Sequence, residues 1–193
     1  MITKEQAQEL IKEFKLPKNI VEHTNTVNRI CLYLGNKAKL GNDELNLLDV
    51  SSMLHDLFKP IELDLDEEVF DTESRAFWKA QKEKYQGMDH TVAAYEYFKD
   101  SEPEIAFLIR SHKFKTILEQ RKKSLPEKIL KYADLRVKHD QIVSMKERLD
   151  DIKTRYAKPT SSQIPFSVFQ DFENELVDAI GFRPDELLEL NQK

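Results

Sequence analysis

A stripe of apolar residues spaced three and four apart runs through residues 18 to 40, as Ile20, Val27, Ile30, Cys31, Leu34 and Ala38, and His23 falls inside it. Side chains at that spacing share one face of an α-helix. Such a face is stable only when buried against another layer, so the chain is bound to a helical core that also accommodates an imidazole. The pattern then repeats. In the next helix Leu47, Leu48, Ser51, Leu54, His55 and Phe58 share a face, with Asp56 beside it in the segment "SSMLHDLFKP". Asn42 or Asp43 is expected to cap that helix, and Pro60, which disfavours helical geometry at Lys59, leaves His55 and Asp56 in the last turn.

Burying a carboxylate without a partner costs several kcal/mol or shifts its pKa until it is neutral, so Asp56 requires compensation. A metal ion supplies it, and further candidates for ligands lie downstream. His90 joins Ala93, Ala94, Tyr97 and Phe98 on a helix capped by Asp89. His112 joins Ile105, Leu108 and Ile109 after the capping-box pattern "SEPE", and Asp134 stands beside Ala133 in a long helix opened by "SLPE" with the stripe Leu130, Ala133, Val137 and Gln141.

The rest of the chain reads as helices and joints. Thr3 and Gln6 form a capping box for a first helix that closes by Pro17. Residues 61 to 88 are expected to form a mobile excursion in the manner of a lid, with a short helix in "ESRAFWKAQKEKY" that ends before Gly87. Phe77 and Trp78 read there as core packing ahead of base stacking, and Asp64, Asp66, Glu67 and Glu68 as a solvated run without the glycine of a calcium loop. After Asp134 come helices in "SMKERLDDIKTRYAKP" and "FSVFQDFENELVDAIG", a short terminal helix in "RPDELLEL", and a flexible joint at "AKPTSSQIP".

With only 4 glycines, a 34% charged fraction and 40% hydrophobic residues, the expected class is all-α, and 193 residues suffice for one domain, 1–193. A net charge of −5 lacks the electrostatic footprint of a binder of long nucleic acid. One cysteine excludes an intramolecular disulfide, the N-terminal stretch reads as charged and amphipathic rather than as the apolar run of a signal peptide, and no stretch approaches the length of a membrane span. The expectation is a cytoplasmic protein with no membrane partner; a homodimer through an exposed helix face is compatible with the sequence.

His23, His55, Asp56, His90, His112 and Asp134 use four of the five histidines. Any one of them alone reads as a satisfied core side chain, but six together read as a ligand set. Imidazole and carboxylate suit one or two divalent ions from Mn, Fe, Co, Ni, Zn and Mg, and the lack of cysteine ligands argues against a closed structural zinc site. Two metals can share a bridging carboxylate and a hydroxide, and Asp56, adjacent to His55, is the expected bridge and catalytic residue. Arg110, Lys113, Lys115, Arg121, Lys122 and Lys123 concentrate positive charge around His112. With the helix start at Ser124 they are candidates for holding phosphate, Arg110 and Lys113 foremost; the competing reading is a solvated basic loop. His139 falls outside the pattern and is expected at the surface, and Arg136 leaves its helix on the far side from Asp134.

The order His23, then His55-Asp56, then His90, His112 and Asp134 resembles the HD-domain superfamily of metal-dependent phosphohydrolases, over about residues 18–140. The resemblance implies an HD-domain-like helical bundle with additional C-terminal helices over about 141–193. It also implies that His23, His55, Asp56 and Asp134 hold one metal, with His90 and His112 completing a second site. Many subfamilies read "HDIGK" where this chain has "HDLFKP", so Phe58 replaces a glycine while Lys59 keeps the lysine position, suited to contact a phosphate as a catalytic and substrate-binding group. The implied activity is phosphomonoesterase or phosphodiesterase action on a small phosphate ester, a nucleotide being the favoured class. Two alternatives stay open: a di-iron HD-type oxygenase, and a non-catalytic HD module that binds a nucleotide or regulates a partner.

Overall fold

The computed structural model describes residues 2–67, 69–155 and 164–192. Nine α-helices are described: α1 Lys4–Glu13, α2 Lys18–Lys37, α3 Asn42–Leu54, α4 Thr72–Lys84, α5 His90–Phe98, α6 Pro103–Ser111, α7 Leu125–Asp134, α8 Met145–Arg155 and α9 Phe166–Ile180. Short 3₁₀ turns occupy Lys59–Glu62, Phe114–Leu118 and Glu186–Gln192. The all-α expectation holds apart from a small hairpin, in which β1 Val137–Lys138 pairs antiparallel with β2 Gln141–Ile142.

Local chemistry explains where most helices start. Thr3 accepts from the Gln6 amide at 3.3 Å while the Gln6 side chain accepts from the Thr3 amide at 2.9 Å, which satisfies two orphan donors of α1. Ser124 and Glu127 do the same for α7. Asp89 caps α5 by accepting from the amides of Thr91 and Val92. Two expected caps differ. Gly41, in extended conformation, precedes α3, so Asn42 and Asp43 fall inside the first turn. Glu102 precedes α6 with no side-chain cap, because Pro103 takes the first helical position and leaves one amide fewer to satisfy.

Helix α2 packs against α3 and α7, and α6 packs against α3 and α5. Gly35 leaves room for side chains of α3, since a Cβ there would lie 2.8 Å from Leu45 Cδ1. Two apolar clusters result. One gathers Val27, Ile30 and Leu34 with Leu130, Tyr132, Phe169 and Leu176, so α9 shares a core with α2 and α7. The other gathers Phe14, Leu54, Phe58, Trp78, Phe98 and Ile105. Helix α3 contributes to both, Leu48 to the first and Leu54 to the second.

The segment 61–88 departs from the mobile excursion expected of it. Ile61, Phe70, Trp78 and Tyr85 are all buried in the second cluster. Phe58, the residue in the glycine position, meets the rings of Phe14 at 5.3 Å and Tyr85 at 5.0 Å edge-on. Burying each such side chain contributes about 1.5–3 kcal/mol, so this segment is a packed wall. Asp64, Asp66 and Glu67 are exposed, as a solvated run should be, and Glu68 lies outside the described residues.

Helix α7 also ends earlier than its stripe suggests, at Asp134, with Val137 and Gln141 in the hairpin. Arg136 is buried there, donating to the carbonyls of Val143 and Pro184 and to Tyr132 Oη, and so ties the hairpin to the C-terminal segment. Gly181 closes α9 in the left-handed region at φ 77°, where a side chain is disfavoured. The expected joint at residues 157–165 lies, for 157–163, outside the described residues.

Candidate metal centre

All six polar residues singled out on helix faces converge. Asp134 is the last residue of α7, His23 sits in the second turn of α2, and His90 opens α5. His55 and His112 occupy equivalent places, each the first residue beyond its helix and each donating Nδ1–H to the carbonyl three residues back, Ser52 and Ile109. Their rings meet edge-on with centroids 5.0 Å apart. Asp56 follows in the turn after α3, outside the helix that was expected to carry it.

The carboxylate of Asp56 divides between two groups of imidazoles. Its Oδ2 lies 3.8 Å from His55 Nε2 and 3.9 Å from His23 Nε2, while its Oδ1 lies 3.1 Å from His90 Nε2 and 3.9 Å from His112 Nε2. Asp134 Oδ1 adds an oxygen 3.2 Å from His23 Nε2. Donor atoms of His23, His55 and Asp134 lie within 4.8 Å of one another, as do those of His55, Asp56 and His112.

Every ring is oriented the same way. The Nδ1 nitrogens of His23, His55 and His112 sit on the backbone carbonyls of His139, Ser52 and Ile109, and that of His90 sits on Glu62 Oε1 at 2.8 Å. Each Nε2 therefore turns inward. With a proton held on Nδ1, a neutral ring carries its lone pair on Nε2, which is the state a metal ligand needs.

That inward convergence tests whether a cation fits. His55 Nε2 is fully buried with no hydrogen-bond partner among the described residues. His90 Nε2 and His112 Nε2 face each other at 3.4 Å. Burial, followed by the nearby His55 and His90, pushes the His112 pKa down to about 3, so its ring is neutral and offers a lone pair. Burial likewise lowers His55. His23 and His90 shift upward because neighbouring carboxylates outweigh burial. Asp56 and Asp134 are held well below the usual carboxylate range, since the surrounding imidazoles overcome the desolvation that would raise them. Two carboxylates and four converging Nε2 atoms in a buried place suit a divalent cation of borderline hardness, and burial keeps the Cys31 thiol protonated and out of such chemistry.

The candidate cations divide. Lys59 Nζ pairs with Glu62 at 2.9 Å and its charge helps to lower Asp56. Arg110 is exposed, with its guanidinium 5.1 Å above the Tyr95 ring, and Lys113 pairs with Asp89 at 2.5 Å. Both line a shallow depression with Lys115 and Arg121 that none of the six converging residues lines. The start of α7 is already engaged by Glu127, which accepts from the Ser124 amide at 2.9 Å.

Several contributors were invisible to motif reading. Glu62 was one acid among many in "IELDLDEEVF". Lys131, buried in α7, donates to the carbonyls of His112 at 3.1 Å and Lys113 at 2.7 Å and so holds the turn that carries His112; burial pushes its pKa down to about 7. His139 has an exposed side chain, as expected, yet its carbonyl orients His23 at 2.8 Å from a left-handed residue at φ 56°. Arg148 of α8 lies close enough to lower Asp134. None of these carried a signal in the sequence: Lys131, two residues before Ala133, falls off the apolar stripe of its helix.

The model of one protein family, described as HD domain, matches residues 20–136. Searches of curated proteins and of solved structures returned no match. The family implies divalent metal binding and a metal-dependent, hydrolase-type superfamily. Since the matched span opens just before His23, closes just after Asp134 and takes up more than half of the 193 residues, the chain belongs to the HD domain family.

Proposed function

We propose that this chain is a metal-dependent phosphohydrolase that acts on a small phosphate ester, with nucleotides as the favoured substrates. The observation that carries the reading is the division of Asp56, one oxygen toward His23 and His55 and the other toward His90 and His112. A carboxylate so placed is suited to bridge two cations. His23, His55, Asp56 and Asp134 would hold one, and His90 and His112, with Asp56 shared, would hold the other.

Divalent ions held there supply Lewis acidity, which makes water a nucleophile at neutral pH and offsets charge on the phosphoryl oxygens. The chain's own residues do the positioning. The four Nδ1–H donors keep the rings from rotating, and the depressed pKa values of Asp56 and Asp134 keep both carboxylates ionised across the physiological range. Lys59, on the turn that follows Asp56, is assigned to the phosphate oxygens and to the charge that develops on them. Arg110 and Lys113 are assigned to the more distant charge of a nucleotide.

The test is release of phosphate or nucleoside from a panel of nucleoside monophosphates, cyclic nucleotides and dinucleoside polyphosphates, with Mn, Ni, Co, Mg or Fe added in turn. Metal-dependent turnover by the wild-type chain that falls to background in Asp56→Ala supports the reading. Folded, metal-loaded protein that turns over none of the panel, or an Asp56→Ala variant as active as wild type, removes it; oxygen uptake in the iron-loaded sample would point to an oxygenase instead.

A further inference from the structure

We infer that Glu62 is the positioning residue of the second cation site, holding His90 in register by accepting both its Nδ1–H and its backbone N–H. The inference rests on the reading of the centre as a two-cation site and assigns a role that the matched family does not by itself specify.

The four imidazoles differ in what aims them. His55 and His112 are oriented by carbonyls of their own helices, three residues back, and His23 by a carbonyl of the hairpin turn. Those acceptors are neutral and belong to backbone that cannot move without local unfolding. His90 differs on both counts. Its Nδ1 lies 2.8 Å from Glu62 Oε1, a charged side-chain acceptor 28 positions earlier in the chain. The same oxygen takes the His90 backbone amide at 3.0 Å, so the ring and the start of α5 are held by one atom.

The second oxygen of Glu62 is engaged as well, by Lys59 Nζ at 2.9 Å. One carboxylate thus spans the residue assigned to phosphate and a ligand of the second site, while His90 Nε2 reaches Asp56 Oδ1 at 3.1 Å from the far side of the ring. The imidazole stands between Glu62 and Asp56, which makes Glu62 a support of the ligand and not a ligand. A carboxylate on the outer nitrogen raises the donor strength of the inner one, and removing such partners typically lowers metal affinity about 10–100-fold.

Backbone packing makes Glu62 well placed for this task. Ile61 beside it is buried, Pro60 restricts the turn, and the segment is anchored through Phe70 and Trp78. The Glu62 side chain itself remains 31% exposed, so its replacement should leave the fold intact.

The metal-stripped full chain would be titrated with Mn²⁺ by calorimetry, comparing wild type with Glu62→Gln, Glu62→Ala and, as the ligand control, His90→Ala, with thermal melts of each. Wild type should take two equivalents. In Glu62→Ala the Kd of the weaker equivalent should rise about 10–100-fold with the tighter one unchanged. Glu62→Gln, which retains an acceptor but not the charge, should fall between, and His90→Ala should lose the weaker equivalent altogether. Unchanged affinity for both equivalents in Glu62→Ala overturns the inference while leaving the two-cation reading in place, as does an equal weakening of both. A wild-type chain that takes fewer than two equivalents overturns the reading itself, and the inference with it.

Discussion

The two sides of the Asp56 carboxylate are built differently. On the Oδ2 side, His23 and His55 are aimed by backbone carbonyls, and Asp134 ends a helix whose core neighbours come from α2 and α9. On the Oδ1 side, His112 is aimed by backbone but His90 depends on a side chain carried by the 61–88 wall. The contrast teaches that one half of the centre is aimed by backbone carbonyls alone, whereas the other also relies on a charged side chain from a separate segment. The first half should be the more robust to perturbation.

The largest effect expected on this contrast comes from Trp78→Ala. Trp78 is fully buried and packs near Phe14 and Phe58, so its truncation should cost about 3–5 kcal/mol in chemical denaturation. If the wall is what holds Glu62, the weaker Mn²⁺ equivalent should suffer more than the tighter one. Equal losses would mean that the two halves are one cooperative unit.

A smaller, pH-dependent effect is expected at Lys131. Its folded-state pKa of about 7 lies below the ordinary lysine value of about 10.4, because burial disfavours the ammonium. The unfolded chain therefore binds more protons between those values, and stability rises with pH across that window. The penalty is present in full below pH of about 7 and is relieved as pH approaches that of the free side chain. Denaturation of the metal-stripped protein at neutral and alkaline pH should show wild type gaining, relative to Lys131→Met, on the order of 1–3 kcal/mol. A pH-independent difference between the two would show that Lys131 is not buried as an ammonium.

The smallest effect sharpens the claim that backbone orients His23. His139→Gly keeps the carbonyl and relieves a left-handed residue, so stability should rise by up to about 1 kcal/mol with Mn²⁺ affinity unchanged. Weakened metal binding in that variant would assign a role to the exposed imidazole.

Much of the architecture was legible because helical periodicity is a local property. The stripes through Ile20 to Ala38 and through His90 to Phe98 marked helices that exist, and the capping boxes at Thr3 and Ser124 marked their starts. The six residues on core faces were visible for the same reason, since a histidine or an acid among apolar neighbours violates a local pattern. Position 58 shows the limit: a phenylalanine in the glycine position looked like a departure, and its meaning, an anchor for Phe14, Tyr85 and Tyr97, depends on partners from three other segments.

By itself, then, the order of residues determined that the chain is helical and that four imidazoles and two carboxylates must share its interior, because both follow from spacing and the cost of burying polar groups. Only the tertiary structure decided which oxygen of Asp56 faces which imidazole, that His139 serves through its carbonyl, and that one acid of a charged run supports His90. These contacts join residues up to 116 positions apart or use backbone atoms common to every residue, so neither side-chain identity nor local period encodes them.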